Sequence, residues 1–138
     1  MDLSSLLVSE KIIKAQYPEP SMDGFTVSLA YISRDEIQKI RNKCVTLKYN
    51  KRSHKPEEDV DNDLFLKLYV GKVIRGWEGL KFKYLADLML VNLDSVANPE
   101  EEVPYSEESA LVLMKNSPDF DGWVTNLISD LSAFNKNS

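Results

Sequence analysis

The stretch VIRGWEGL, residues 73–80, places a tryptophan between two glycines after a run of branched apolar residues. It could be an active-site loop, a platform for a ligand, or the end of a helix. Gly76 and Gly79 are typical of helix C-termini, and no acid–base set stands beside them. We therefore interpret the stretch as the end of a long central helix, with Trp77 packed in the core at the corner.

The predicted central helix precedes this stretch. Asp61 or Asn62 can cap its first turn, because a short polar side chain there accepts a free amide hydrogen. Its apolar residues cover most of its circumference, which is typical of a helix surrounded by others. They are Leu64, Phe65, Leu66, Leu68, Tyr69, Val70, Val73, Ile74 and Trp77.

The residues before position 33 favour two strands. Residues 25–32, FTVSLAYI, alternate apolar and small or polar side chains, the period of a half-buried strand. Residues 9–17 also suit a strand, and the prolines and glycine of PEPSMDG between them predict a loop. We expect a β-hairpin over 9–32 that packs against helices, since two strands alone are marginally stable.

A charged segment follows the first predicted helix. The sequence SRDE is a capping box, in which Ser33 and Glu36 satisfy each other's backbone amides, and the apolar spacing predicts a helix onward through Tyr49. KYNKRSHK then gives way directly to PEEDVDND, so basic and acidic residues cancel much of each other's field. We interpret residues 50–60 as a solvated charged loop, with contact to RNA or a partner as the alternative.

The second half of the chain carries three further helical patterns. Residues 81–93 are apolar and helical by composition at least to Met89. Ser106 is placed to cap the next helix, and Ser117 with Pro118 to start the last. That last helix keeps one apolar face as far as Phe134.

Together these patterns predict a mainly α protein with a small N-terminal β-hairpin, an α+β fold. The 138 residues suffice for one compact domain, residues 1–138, with about five helices in a helical body over 33–135. The net charge of −5, the single cysteine and the absence of a signal peptide or long apolar run predict a protein of a reducing cell interior, away from membranes and nucleic acid.

Few residues are candidates for chemistry. His54 is the only histidine and lies among charged residues, so a solvated loop position is favoured over a base or ligand. Cys44 falls on an apolar helix face, as a small buried hydrophobe would. The acidic runs lack the spacing of a calcium loop, and no phosphate-binding or nucleophile motif is present. We expect no enzyme activity, no catalytic residue, no metal and no cofactor.

The order of the motifs resembles the tail assembly chaperones of long-tailed bacteriophages. The matching motifs are a strand running into an "ylsr-e" helix start, a helix ending in W-x-G-L, a "vp-S-e-e" cap, and a last helix closing on phenylalanine. The residues that carry them are Tyr31, Ile32, Ser33, Arg34, Glu36, Trp77, Glu78, Gly79, Leu80, Pro104, Tyr105, Ser106, Glu107, Glu108, Ala110, Leu111, Trp123 and Phe134. Segment 81–98 departs from the pattern as an inserted element.

The resemblance implies a non-catalytic role in tail morphogenesis. Such chaperones bind the tape measure protein, help recruit major tail tube protein, tend to self-associate, and act in the bacterial host cytoplasm without entering the mature virion. On this basis we expect partner contacts at Leu85, Met89, Trp123 and Leu127, although all four could equally be core residues. A small phage- or host-encoded adaptor or regulatory domain is the alternative.

Overall fold

The computed structural model describes residues 2–7, 10–130 and 134–135. Within these ranges the chain forms five strands and five α-helices, with short 3₁₀ turns at Leu3–Leu6, Pro20–Met22 and Phe82–Tyr84. The strands are β1 (Ile12–Gln16), β2 (Thr26–Ala30), β3 (Val45–Asn50), β4 (Lys55–Val60) and β5 (Ile74–Glu78). The helices are α1 (Arg34–Cys44), α2 (Asn62–Val73), α3 (Leu85–Leu88), α4 (Glu107–Asn116) and α5 (Pro118–Ile128).

The first sheet is three-stranded, in the order β1-β2-β5, with both neighbouring pairs antiparallel. The expected strands before position 33 pair as predicted, Ala15 opposite Val27. The third strand comes directly from the end of α2, and its Trp77 lies opposite Val27. VIRGWEGL is therefore mostly the edge strand β5 and the turn that follows it, and the prediction that it is a helix end holds only for Val73.

The second sheet is a separate antiparallel hairpin of β3 and β4 joined by the turn at 51–54. Helix α1 ends at Cys44, five residues before the predicted Tyr49. The predicted charged loop over 50–60 is thus a turn followed by a strand. The prediction of a mainly α fold with one small N-terminal hairpin is wrong: the fold is mixed α+β, with two sheets.

The predicted side-chain N-caps are confirmed, but the return half of the capping box is not, since the Glu36 carboxylate accepts a hydrogen bond from the Ser33 hydroxyl (3.3 Å) and not from its amide. The hydroxyl of Ser33 accepts the amide hydrogen of Glu36 (3.2 Å), and Asp61, Ser106 and Ser117 cap α2, α4 and α5 in the same way. Each of these four helices therefore begins where a nearby side chain satisfies one of its free amides.

The helix predicted over 81–93, at least to Met89, is confirmed only for residues 82–88 and is wrong beyond them. Only a 3₁₀ turn and the four residues of α3 are helical, and the chain extends again at Met89, whose φ is −154°. The last helix, α5, ends at Ile128. The predicted helix continued through residues 131–133, which lie outside the described residues. Phe134, at its predicted end, is helical and buried.

The core lies between one face of the first sheet and helices α2, α4 and α5. Phe25 and Phe120 are fully buried and stack with ring centroids 6.1 Å apart. Helix α2 packs against α1 on one side and α4 on the other, and α5 reaches β2. Among the helices that the structure describes, the short α3 lies closest to the outer side of α4, where residues of both line one groove.

Candidate protein-binding site

An apolar groove of about 250 Å³ lies beside α4. Its floor and walls come from the end of β5, the residues around α3, the loop before α4 and the outer side of α4. The lining residues are Trp77, Leu80, Leu85, Met89, Val103, Glu108, Ser109, Val112 and Leu113. Seven of these nine side chains are apolar, so the groove presents hydrophobic surface to solvent.

Two aromatic side chains fix the loop before α4 to β5. The indole N–H of Trp77 donates to the carbonyl of Val103 (2.9 Å), and the hydroxyl of Tyr105 donates to the carbonyl of Ile74 (2.9 Å). Their rings meet edge to face with centroids 5.2 Å apart. Burial, with a smaller effect from the Glu107 carboxylate, raises the pKa of the Tyr105 hydroxyl. The indole of Trp77, which lines the groove, is therefore held in place by a hydrogen bond and a ring contact.

The floor is completed by chain pairing between 80–83 and 99–103. Backbone hydrogen bonds run from Val103 N to Leu80 O (2.6 Å), from Phe82 N to Glu101 O (3.0 Å) and from Lys83 N to Pro99 O (3.0 Å). Glu100 adds ion pairs to Lys83 (2.6 Å) and Lys81 (3.1 Å). Both lysines also donate hydrogen bonds to the Glu100 carboxylate. These bonds hold its pKa below the usual value, and the bond from Lys83 has the larger effect. The pairing orders a segment that has little regular structure of its own.

Helix α4 forms the remaining wall. Ser106 caps it, and Ala110, Leu113 and Met114 face the core. Val112 points the other way and keeps 45% of its surface exposed. This side of α4 is therefore open to contact with another molecule.

The chemistry of the groove suits an apolar side chain better than a substrate. Its polar lining consists of Glu108 and Ser109, which is too little for a general acid paired with a general base. Its volume is below the roughly 300–1,000 Å³ of small-molecule pockets. One or two large side chains of a partner helix would fit, as in helix-in-groove recognition.

The four predicted contact residues fall in two places. Leu85 and Met89 line the groove. Trp123 lies in the aromatic core layer, edge to face with Tyr17 at 5.0 Å, and Leu127 packs partly buried one turn further along α5. The structure therefore brings together one pair of the predicted residues and separates it from the other.

Sequence reasoning missed Val112 as a groove residue and foresaw only the core packing of Trp77. The available signal for Val112 was the run LVLM at 111–114, since four consecutive apolar residues cannot all face one side of a helix. Trp77 was expected in the core; it packs against the core as a half-buried residue, and it also lines the groove.

The residues first considered for chemistry lie apart from the groove. Cys44 is buried at the end of α1, and exposed His54 accepts or donates a 3.0 Å hydrogen bond with Tyr49. Across the described ranges, no group of three or more His, Cys, Asp or Glu residues is arranged to hold a metal ion. In the same part of the chain, no helix has the length and apolar character needed to cross a membrane.

Comparison with known proteins assigns the family. No curated protein and no solved structure matches the chain. Residues 32–138 match the family described as YdaY prophage protein, a stretch that begins just after β2 and includes every residue lining the groove. Because the match covers most of the 138 residues, the chain belongs to the YdaY prophage protein family.

Proposed function

We propose that this prophage protein is a non-catalytic tail assembly chaperone, which binds the tape measure protein and helps recruit tail tube subunits during tail morphogenesis. On this proposal it acts in the host cytoplasm and is absent from the mature virion. The observation that carries the proposal is the apolar groove beside α4. The resemblance of the motif order to tail assembly chaperones supports it independently.

The groove fits the surface of a long helical partner. An amphipathic helix presents large apolar side chains one turn apart, and such anchors enter grooves between helices. Here Leu85 and Met89, one turn apart and joined by the hydrogen bond from the Met89 amide to the Leu85 carbonyl (2.9 Å), line the groove together with Val112 of α4. Covering this surface would keep an apolar segment of the partner out of water, which is what a chaperone of an insoluble helical protein has to do.

The direct experiment is co-expression with the tape measure protein encoded by the same prophage. We expect the tape measure protein to become soluble and to co-purify with the tagged chain. If it remains insoluble and does not co-purify, the chaperone proposal is wrong. Capture of a non-tail protein under the same conditions would favour the adaptor alternative, because an adaptor could use the same groove.

A matched pair of variants tests the role of the groove. Val112→Glu places a charge at the groove, and we expect co-purification to fall at least about tenfold because a buried unpaired carboxylate is costly. Ile37→Glu is the control, since Ile37 is also a β-branched residue on a helix surface, 37% exposed against 45% for Val112, but lies on α1. Equal losses in both variants would contradict the assignment.

The same co-purification assay distinguishes predicted contact residues that line the groove from those that do not. Met89→Ala is expected to weaken binding more than Leu127→Ala, because Met89 lines the groove and Leu127 does not. Melting temperatures measured in parallel separate binding from folding. A sharp loss of thermal stability in Met89→Ala with tape measure binding intact would show that Met89 is a core residue only.

A further inference from the structure

A second groove, here called the lysine groove, runs between α1 and α2 and has a volume of about 390 Å³. The Asp61 amide donates to the Cys44 carbonyl (2.8 Å), which places the end of α1 beside the start of α2. At the other end, Lys72 of α2 forms an ion pair with Glu36 of α1 (3.3 Å), so the two helices are antiparallel. The charged residues that line the groove are Glu36, Lys39, Lys43, Lys67, Lys72 and Glu107. Positive charge is therefore in excess here, although the chain as a whole has a net charge of −5.

Two of these lysines, Lys43 on α1 and Lys67 on α2, form no ion pair among the residues that the structure describes, whereas the other two pair with carboxylates of α1. Both side chains are exposed and line the groove from its two walls. Carboxylates near this end of the groove are engaged elsewhere, since Asp61 caps α2 and Asp63 pairs with Lys115 (3.6 Å). The groove thus presents two cations that are available to an anionic ligand.

The floor of the lysine groove is apolar and includes a glycine. Ile40 is buried, Leu68 is half-buried, and Gly71 offers only its backbone. Apart from its own helix, a Cβ added at Gly71 would meet only the side chain of Glu107, at 3.9 Å, which is an ordinary contact. Glycine destabilises a helix interior relative to alanine, and no neighbour requires it here. A larger side chain at position 71 would fill the groove, so the glycine keeps the floor open.

We propose that the lysine groove binds an acidic segment of a partner protein. One apolar side chain of the segment lies over Gly71, and carboxylates beside it pair with Lys43 and Lys67, because opposite charges across an interface steer and orient the partner. Lys43 also complements the dipole at the end of α1, but Lys67 lies in the middle of α2 and gains nothing from a helix end.

The lysine groove and the apolar groove are separate surfaces. Glu107 lines the first and Glu108 the second, so the first turn of α4 stands between them. An occupant of one groove leaves the other open. The inference about the lysine groove therefore does not rest on the proposed function.

Two other anionic ligands fit the lysine groove less well. A nucleic acid presents a continuous row of phosphates, which Glu36 and Glu107 would repel along the same groove. A small anion would stay largely in water because the lysine side chains are exposed, whereas small-molecule pockets bury most of their ligand. A protein segment can present an apolar side chain and separate carboxylates, which matches the distribution of charge in the groove.

Fluorescence anisotropy of the full chain with a labelled helical peptide of about 15 residues tests the proposal. The acidic probe carries one leucine flanked by glutamates, and its matched control carries glutamine in place of every glutamate. We expect the acidic probe to bind at least about tenfold more tightly at low salt and to lose this advantage as salt screens the charges. Equal binding of the two peptides, or no binding of either, overturns the proposal.

A charge-reversal pair locates the binding. Lys43→Glu with Lys67→Glu is expected to weaken binding of the acidic probe by about tenfold or more, because two attractions become repulsions. Lys51→Glu with Lys55→Glu is the matched control, since these lysines are also exposed, lie at the tip of the β3–β4 hairpin, and change the net charge equally. Equal losses in the two double variants would mean that net charge governs binding, and would overturn the groove as the site.

A glycine pair tests the open floor. Gly71→Leu is expected to keep its melting temperature, because leucine favours helices, and to weaken binding of the acidic probe by roughly tenfold or more, because a filled groove clashes with the occupant. Gly122→Leu in α5 is the control, since a Cβ there meets nothing within 4 Å and Gly122 does not line the groove. A folded Gly71→Leu variant that binds the probe like the wild type overturns the proposed position of the apolar side chain.

Competition identifies the kind of anion that the groove prefers. Inorganic pyrophosphate and a single-stranded RNA oligonucleotide are each titrated against the bound acidic probe, with unlabelled acidic peptide as the reference. We expect the peptide to displace the probe at the lowest concentration of negative charge, because only the peptide also contacts the apolar floor. Displacement by pyrophosphate or RNA at a lower concentration would make the groove a small-anion or nucleic-acid site and overturn the assignment to a protein segment.

Discussion

Gly79→Ala is expected to be among the most destabilising single substitutions in VIRGWEGL. Gly79 has a φ of 76°, a conformation that side chains with a Cβ rarely adopt. A Cβ added there would lie 2.6 Å from the carbonyl carbon of Gly24 and closer still to its oxygen. The obstacle is backbone, which cannot rotate aside as a flexible side chain could. The glycine therefore allows the turn after β5 to pass against the turn before β2.

The expected magnitude follows from these two effects. A left-handed conformation costs a residue with a Cβ about 1–2 kcal/mol. Overpacking against a fixed neighbour costs about 1–3 kcal/mol more. The sum is about 2–5 kcal/mol, a large fraction of the roughly 5–15 kcal/mol by which such a domain is stable. The Gly79 amide, which donates to the Glu102 carboxylate (2.6 Å), would be displaced as well.

Two other glycines separate the effects. Gly24→Ala keeps the positive φ of 87° but meets nothing within 4 Å, so a cost of about 1–2 kcal/mol is expected. Gly122→Ala lies in α5 with open space and should stabilise the protein by about 0.5–1 kcal/mol. Urea unfolding followed by circular dichroism gives all three free energies. A Gly79→Ala cost equal to that of Gly24→Ala would refute the close-approach argument.

Three other substitutions test the loop and cap chemistry. Glu100→Gln removes a carboxylate whose pKa is lowered by Lys83 and Lys81. A carboxylate with a lowered pKa in the folded state stabilises the protein above the unfolded-state pKa of 4.5, and this stabilisation is lost as the pH falls through the folded-state pKa. The melting temperature of the variant should thus fall below that of wild type at pH 7, and the gap should shrink below pH 4.5; a gap independent of pH would contradict this. Ser117→Ala removes a buried helix cap and should cost about 1 kcal/mol in urea unfolding, so an unchanged midpoint would argue against the cap. Trp77→Phe removes the donor to a part-buried carbonyl at the groove and should cost about 1–2 kcal/mol, whereas a neutral change would mean that water replaces the indole.

Part of the candidate site was predictable from sequence and part was not. Leu85 and Met89 were expected because segment 81–93 carries more apolar surface than a short element can bury. Val112 and Trp77 became members of the groove only through the long-range bonds that hold the loop before α4 against β5. The partners of those bonds are about 30 residues apart, beyond the reach of any local pattern.

The sequence by itself determined where four of the five described α-helices begin. Ser33, Asp61, Ser106 and Ser117 act within three residues of their own position, so their capping chemistry depends on no distant contact. The alternation of residues 25–32 likewise determined β2, because a period of two is unambiguous when it is sustained.

Only the tertiary structure decided where α1 and α2 give way to strands. Leu47 stands three residues after Cys44 and so continues the apolar face of α1, yet VTLKYN also has the β-branched and aromatic residues of a strand. The choice depends on pairing with residues 55–60 for β3 and with β2, nearly 50 positions earlier in the chain, for β5. Backbone hydrogen bonds made across such distances outweigh small local preferences, and they turned a predicted helical body into a two-sheet α+β fold.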